Sequence, residues 1–69
     1  MSSIAILGCG NIGSSIAKGL VKSGIDKDKM ILTCRKLTHL QSYQEKGYKV
    51  TQNNVEAVKN SEIIFDARK

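Results

Sequence analysis

Hydrophobic positions come in short runs that alternate with longer, periodic stretches. Ile4-Ala5-Ile6-Leu7 is apolar at every position. A strand covered on both faces reads this way, whereas a half-exposed strand alternates. A glycine-rich turn, residues 8–13, follows. Ile12, Ile16 and Leu20 then recur at helical spacing, with Ala17 and Val21 beside them and Lys18 and Lys22 on another face. Gly24 stands where a helix would end in a left-handed residue. Met30-Ile31-Leu32 is a second buried strand, closing with Thr33 and Cys34. Residues 37–46 read as a second helix, with Leu37, Leu40 and Tyr43 on its inner side and Gly47 as its stop. Tyr48-Lys49-Val50-Thr51 is a weaker strand whose charge suits a sheet edge. Asn53 or Asn54 caps a short third helix over residues 55–59, with Glu56 near its positive end. Glu62-Ile63-Ile64-Phe65 opens a fourth strand.

The order β-α-β-α-β-α-β predicts an α/β fold with a parallel sheet and right-handed crossovers. In a Rossmann-like dinucleotide-binding half, the four strands take the order 3-2-1-4. The first two helices then cover one face of the sheet and the third covers the other.

Composition narrows the function. At 69 residues the chain is one small domain or part of a larger one. A cleft between two lobes is excluded. With no Pro, no Trp and only 4% aromatics, the core must come from Ile, Leu, Val and Ala. The net charge of +5 favours anionic ligands. Its lysines and arginines are scattered, however, and Tyr43, Tyr48 and Phe65 are too few for a base-stacking platform, so nucleic acid is not an expected partner. No apolar stretch reaches the ~20 residues of a membrane span. The opening residues lack the basic and apolar pattern of a secretory leader, so a cytoplasmic location is expected. Cys9 and Cys34 form no C-x-x-C pair and no zinc pattern. They fall at the carboxyl ends of adjacent strands, which can bring them close together, and are expected to be free thiols that fill space, with a redox pair as the alternative. His39 has no metal-spaced companion and reads as a surface histidine. Ser14 and Ser15 have no base beside them. No metal site is expected.

The chemistry sits in Gly8-Cys9-Gly10-Asn11-Ile12-Gly13, a G-x-G-x-x-G. Its context, directly after a buried strand and at the start of a helix, is what makes it specific for a dinucleotide. Gly8 permits the tight turn, Gly10 lets the backbone approach a pyrophosphate, and Gly13 lets helix and strand pack closely. Backbone N–H groups near Asn11 and Ile12 face the phosphates, aided by the helix dipole. An NAD site needs a carboxylate about 20 residues further on, to hold the ribose 2′-hydroxyl. Thr33-Cys34-Arg35-Lys36 offers none. A guanidinium at Arg35 instead forks onto a 2′-phosphate, and Lys36 adds charge. NADP is therefore expected over NAD.

Residues 6–20 (ILGCGNIGSSIAKGL) are very similar to the opening of pyrroline-5-carboxylate reductases. So are Gly24-Ile25, Thr33-Cys34-Arg35, Gly47-Tyr48-Lys49-Val50-Thr51, Asn54, Glu56-Ala57-Val58 and Glu62-Ile63-Ile64-Phe65. The resemblance runs over essentially the whole chain. Coenzyme F420-dependent NADP oxidoreductases share much of the first half. The resemblance implies a cofactor-binding portion of an enzyme that reduces 1-pyrroline-5-carboxylate to proline with NAD(P)H. It also implies that Cys34 and Arg35 sit at the 2′-phosphate, that Asn54 reaches the cofactor ribose, and that Lys69 lies near the nicotinamide half.

Two departures stand out. Asp66-Ala67-Arg68-Lys69 replaces an apolar run followed by Ala-Val-Lys-Pro, and the family's helical domain, which makes the dimer and binds the imine, has no counterpart here. The expectation is a partial dinucleotide-binding domain over residues 1–69, truncated and not active alone, with no catalytic residue to carry over. Asp66 and Arg68 are expected to be exposed on one face of strand four, at a sheet left partly bare. A bare face would favour a homo-oligomer. The other readings are a non-catalytic Rossmann-like domain that serves self-association or interaction, and, from the resemblance, the NADP-binding part of a protein like the coenzyme F420-dependent NADP oxidoreductases.

Overall fold

The computed structural model of the chain describes residues 4–59 and 61–67. Strands and helices alternate as β1 (Ile4–Leu7), α1 (Asn11–Lys22), β2 (Met30–Thr33), α2 (Leu37–Glu45), β3 (Lys49–Thr51), α3 (Asn54–Lys59) and β4 (Ile63–Asp66). A 3-10 turn at Lys27–Lys29, with no counterpart in the apolar pattern, leads into β2. All strand pairs are parallel and the order is β3-β2-β1-β4. The expected Rossmann-like topology is the one observed.

Register explains the two layers. Ile4 and Ile6 lie level with Met30 and Leu32 on one side and with Ile63 and Phe65 on the other. Their side chains share one face, which packs with Ala17 of α1 and Tyr43 of α2. Ala5 and Leu7, one step out of phase, form the opposite face with Ala57 of α3 and Ile31. All four β1 residues are buried, as their unbroken apolar run requires. Lys49 and Thr51 place the charged strand at the edge of the sheet.

Both long helices stop as their glycines dictate. Gly24 has φ +105° and Gly47 φ +95°. In each, the glycine N–H and the next N–H bond back to the last turn, Gly24 to Val21 and Ile25 to Leu20, Gly47 to Gln44 and Tyr48 to Tyr43. At α3, Asn53 is the cap: its Oδ1 accepts the Glu56 N–H at 3.1 Å.

The pattern overstated the core at two positions. Leu37 and Ile12 keep helical spacing with buried residues yet are 61% and 59% exposed. Each lies in the first turn of its helix, where the chain has just left the sheet and no layer stands opposite. α3 packs over β1, β2 and β3. Ile64, on that same face of β4, is 44% exposed, and Ile63 is 52% exposed. Asp66 is exposed, as expected, while Arg68 and Lys69 lie outside the described residues. Among the described residues, no helix is long and apolar enough to cross a membrane.

Candidate functional site

The carboxyl ends of β1 and β2 are tied together by side chains as well as by the ladder. Gly8 leaves β1 with φ +100°, a conformation that an L residue rarely adopts, and so turns the chain sharply. Its N–H donates to Thr33 Oγ1 at 3.0 Å. Past β2, the Cys34 N–H donates to the Thr51 carbonyl and Gln52 Nε2 donates to the Arg35 carbonyl at 3.2 Å. The chain after each strand is thus fixed to its neighbour, and a cleft opens above them.

That cleft measures about 780 Å³, within the range of small-molecule sites. Gly8, Gly10, Asn11 and Ile12 line one wall, Cys34, Arg35 and Lys36 another, and Asn54 a third. The sequence-predicted residues therefore converge on one place. Gly13 does not line it but lies beneath: a Cβ there would run into the carbonyl of Gly8. Gly13→Ala is expected to cost about 1–3 kcal/mol, because backbone on both sides must shift. Urea unfolding of the variant checks this. Lys69 lies outside the described residues.

Gly10 differs from its two companions. Its φ of −78° is open to any residue, and a Cβ built on it meets nothing within 4 Å. Neither conformation nor internal packing requires a glycine here. A side chain would instead stand in the open cleft. Gly10 also begins α1 without a side-chain cap, so the first N–H groups of a 12-residue helix stay free for an anion. Arg35 and Lys36 are exposed on the opposite wall. Among the described residues, no carboxylate lines the cleft. Free N–H groups, cations and a missing side chain fit the phosphates of a dinucleotide.

Two features correct the sequence reading. Cys9 and Cys34 are not free thiols: they are joined by a disulfide, with Cα atoms 5.4 Å apart. The pairing of Leu7 with Thr33 brings these two turns side by side. His39 is exposed, as expected, yet it stands on the rim of the cleft with Nδ1 3.9 Å from Cys9 Sγ. The helical register of α2 puts it there, two residues after the exposed Leu37, and its spacing from any partner in sequence gave no hint. Thr33 and Gln52 also line the cleft. Among the described residues no cluster of metal-ligating side chains occurs.

Comparison with known proteins agrees with the geometry. A family model described as NADP oxidoreductase, coenzyme F420-dependent, matches residues 3–69. Pyrroline-5-carboxylate reductase 1 of Dictyostelium discoideum is 43% identical over 63 residues, which cover 90% of this chain and 11% of that protein. Pyrroline-5-carboxylate reductase 3 of Danio rerio is 34% identical over 67 residues, 96% of this chain and 23% of that protein. The solved structure of a pyrroline-5-carboxylate reductase from Coxiella burnetii superposes with a TM-score of 0.88 at 32% identity, covering 97% of this chain and 25% of that one. The chain thus spans about a tenth to a quarter of the length of these relatives.

Proposed function

The chain belongs to the NADP oxidoreductase, coenzyme F420-dependent family and is similar to pyrroline-5-carboxylate reductases, and from that premise we propose that it is the NADP(H)-binding portion of a reductase acting on a C=N bond, with 1-pyrroline-5-carboxylate as the substrate and proline as the product. In this reading Gly8, Gly10, Asn11, Ile12 and Gly13 hold the pyrophosphate. Cys34, Arg35 and Lys36 surround the adenosine 2′-phosphate, and Asn54 faces the cofactor ribose. Lys69, by its resemblance to the relatives, belongs near the nicotinamide. The cofactor supplies hydride chemistry; these residues bind and orient it. We assign no catalytic residue, and turnover by this chain alone is not expected.

Gly10 carries the proposal. A glycine that its own fold does not need, set at a helix start inside a cationic cleft, is accounted for by a ligand that comes close to the backbone. Gly10→Ala is therefore expected to cost no more than about 1 kcal/mol of unfolding stability, because alanine is a poorer helix N-cap than glycine, while NADPH binds about tenfold more weakly through lost phosphate contacts. Isothermal titration with NADPH and NADH, beside thermal unfolding, reads both quantities. Unaltered NADPH affinity in that variant would sink the proposal. NADP(H) is proposed over NAD(H) because the end of β2 presents Arg35 and Lys36 and no carboxylate.

A second reading rests on the uncovered side of the sheet. Ile64 on β4, with Val55 and Val58 on α3, leaves apolar surface in solvent. It supports self-association through the outer face of β4, as a homo-oligomer of a binding domain. Sedimentation at increasing concentration, with Ile64→Lys as the control, distinguishes a monomer from such an assembly. The proposed compartment is the cytoplasm, where thiols are kept reduced and a disulfide, when one forms, is usually transient.

A further inference from the structure

We infer that Cys9 and Cys34 form a reversible thiol–disulfide site at the floor of the dinucleotide cleft, oxidised by a peroxide and reduced by a small thiol, and that the bridged form holds the dinucleotide more tightly than the dithiol form. The inference rests on the dinucleotide reading given above and adds a regulation of that same site.

The fold places the pair for this chemistry. Each cysteine follows the end of a strand, β1 and β2 are neighbours, and Cα atoms 5.4 Å apart match the spacing that a disulfide needs. The chain has two cysteines in all, so each has one intramolecular partner. Both are largely buried, Cys9 at 9% and Cys34 at 3% exposure, but both line the cleft. A small oxidant that enters the cleft therefore reaches them, while a bulky one does not. His39 supplies the remaining part: its Nδ1, 3.9 Å from Cys9 Sγ, stands where it can take the thiol proton.

The steps balance. Cys9, its proton passed to His39, attacks one oxygen of a peroxide. An S–O bond forms, the O–O bond breaks, and the departing hydroxide takes up a proton to leave as water. Cys34 then attacks the resulting sulfenic sulfur. The S–S bond forms, the S–O bond breaks, and a second water leaves. Two thiols lose two hydrogens, and one peroxide is reduced to two waters. A small thiol such as glutathione reverses the change by exchange, itself becoming a disulfide.

Coupling to the ligand follows from where the sulfurs can go. Beneath the pair the core is closed by Ile6, Leu32 and Tyr43, and the Tyr43 hydroxyl donates to the Cys9 carbonyl at 3.4 Å. Two thiols cannot approach as closely as two bonded sulfurs. The space open to a displaced Sγ is the cleft, beside Arg35 and Lys36. Reduction therefore puts a thiol where the adenosine end is proposed to lie. Bridging withdraws it and leaves that space to the adenosine end.

The test is a titration of the full chain with NADPH in two states: treated with hydrogen peroxide that is then removed, and reduced with dithiothreitol. Both are held in the cold, with circular dichroism as the check on folding. Intact mass must show the monomer losing two hydrogens on oxidation and regaining them on reduction. The bridged form is expected to bind NADPH about fivefold more tightly. By reciprocity, saturating NADPH raises the bridged-to-reduced ratio by the same factor in a glutathione buffer. Either Cys9→Ser or Cys34→Ser abolishes the redox dependence, whatever its own affinity for NADPH. The inference is overturned if no intramolecular bridge forms, if the two states bind equally, if the dithiol binds more tightly, or if the reduced chain has lost its fold in the cold. Should the bridge form and revert while neither state binds NADPH, the dinucleotide reading itself falls and takes this inference with it.

Discussion

Reduction of the Cys9–Cys34 bridge is expected to lower the melting temperature by about 10–20 °C. The bridge closes a loop with a sequence separation of 25, for which chain-entropy arguments give about 3 kcal/mol. In a domain of this size each kcal/mol moves the midpoint by about 4–8 °C. The effect is large because the domain is small: its cores rest on few fully buried large side chains, Ile6, Met30 and Leu32. The bridge also joins turns that already share the Gly8–Thr33 hydrogen bond and the β1–β2 ladder. It therefore acts chiefly on the unfolded chain and less by holding loose ends in the folded one. Differential scanning calorimetry with and without a phosphine reductant measures the shift. Cys34→Ser should melt near the reduced parent and ignore the reductant. A midpoint that does not move would contradict this stabilisation through the unfolded chain.

Arg35→Glu is expected to weaken NADPH binding by about 10- to 100-fold and to change NADH affinity little, so that the cofactor preference disappears or inverts. A guanidinium paired with a phosphate contributes about 1.5–3 kcal/mol through charge-assisted hydrogen bonds. The substitution removes those and sets a carboxylate where the ribose 2′-hydroxyl of NADH can use it. Arg35 is exposed, and its backbone carbonyl is held by Gln52. The fold should tolerate the change, and a loss of binding then reports the ligand contact and no structural damage. Lys36→Ala should cost less, since an ammonium acts as a point charge and lacks the fork of a guanidinium. Parallel titrations with the two cofactors measure the ratio. An Arg35→Glu chain that still prefers NADPH as strongly as the parent would remove the 2′-phosphate assignment.

The elements were legible because apolar runs report burial directly. Ile4 to Leu7 could be read as a doubly covered strand because each residue meets a layer, and the register with Met30 to Thr33 then follows from the β-α-β order. Gly24 and Gly47 announced helix ends through a conformation that other residues avoid. The glycine turn announced the cleft in the same way. What could not be read depended on distances across the sheet. That Cys9 and Cys34 would be neighbours follows from strand order; that they are bonded depends on how two turns face each other. His39 came to the cleft rim through the rotation of α2, which its weakly patterned sequence does not reveal. Ile12 and Leu37 had the spacing of core residues and lacked an opposing layer, which periodicity does not encode.

We propose the cleft above Gly10 as the site for NADP(H). Amide chemical-shift mapping of the isotope-labelled chain during an NADPH titration is the decisive experiment, because it reports location as well as affinity. Saturable shifts are expected at Gly8 to Gly13, at Arg35 and Lys36, and at Asn54, with those at Arg35 and Lys36 much smaller when NADH replaces NADPH. Shifts that gather instead along Val55, Val58 and Ile64, or an unchanged spectrum at millimolar NADPH, would contradict it.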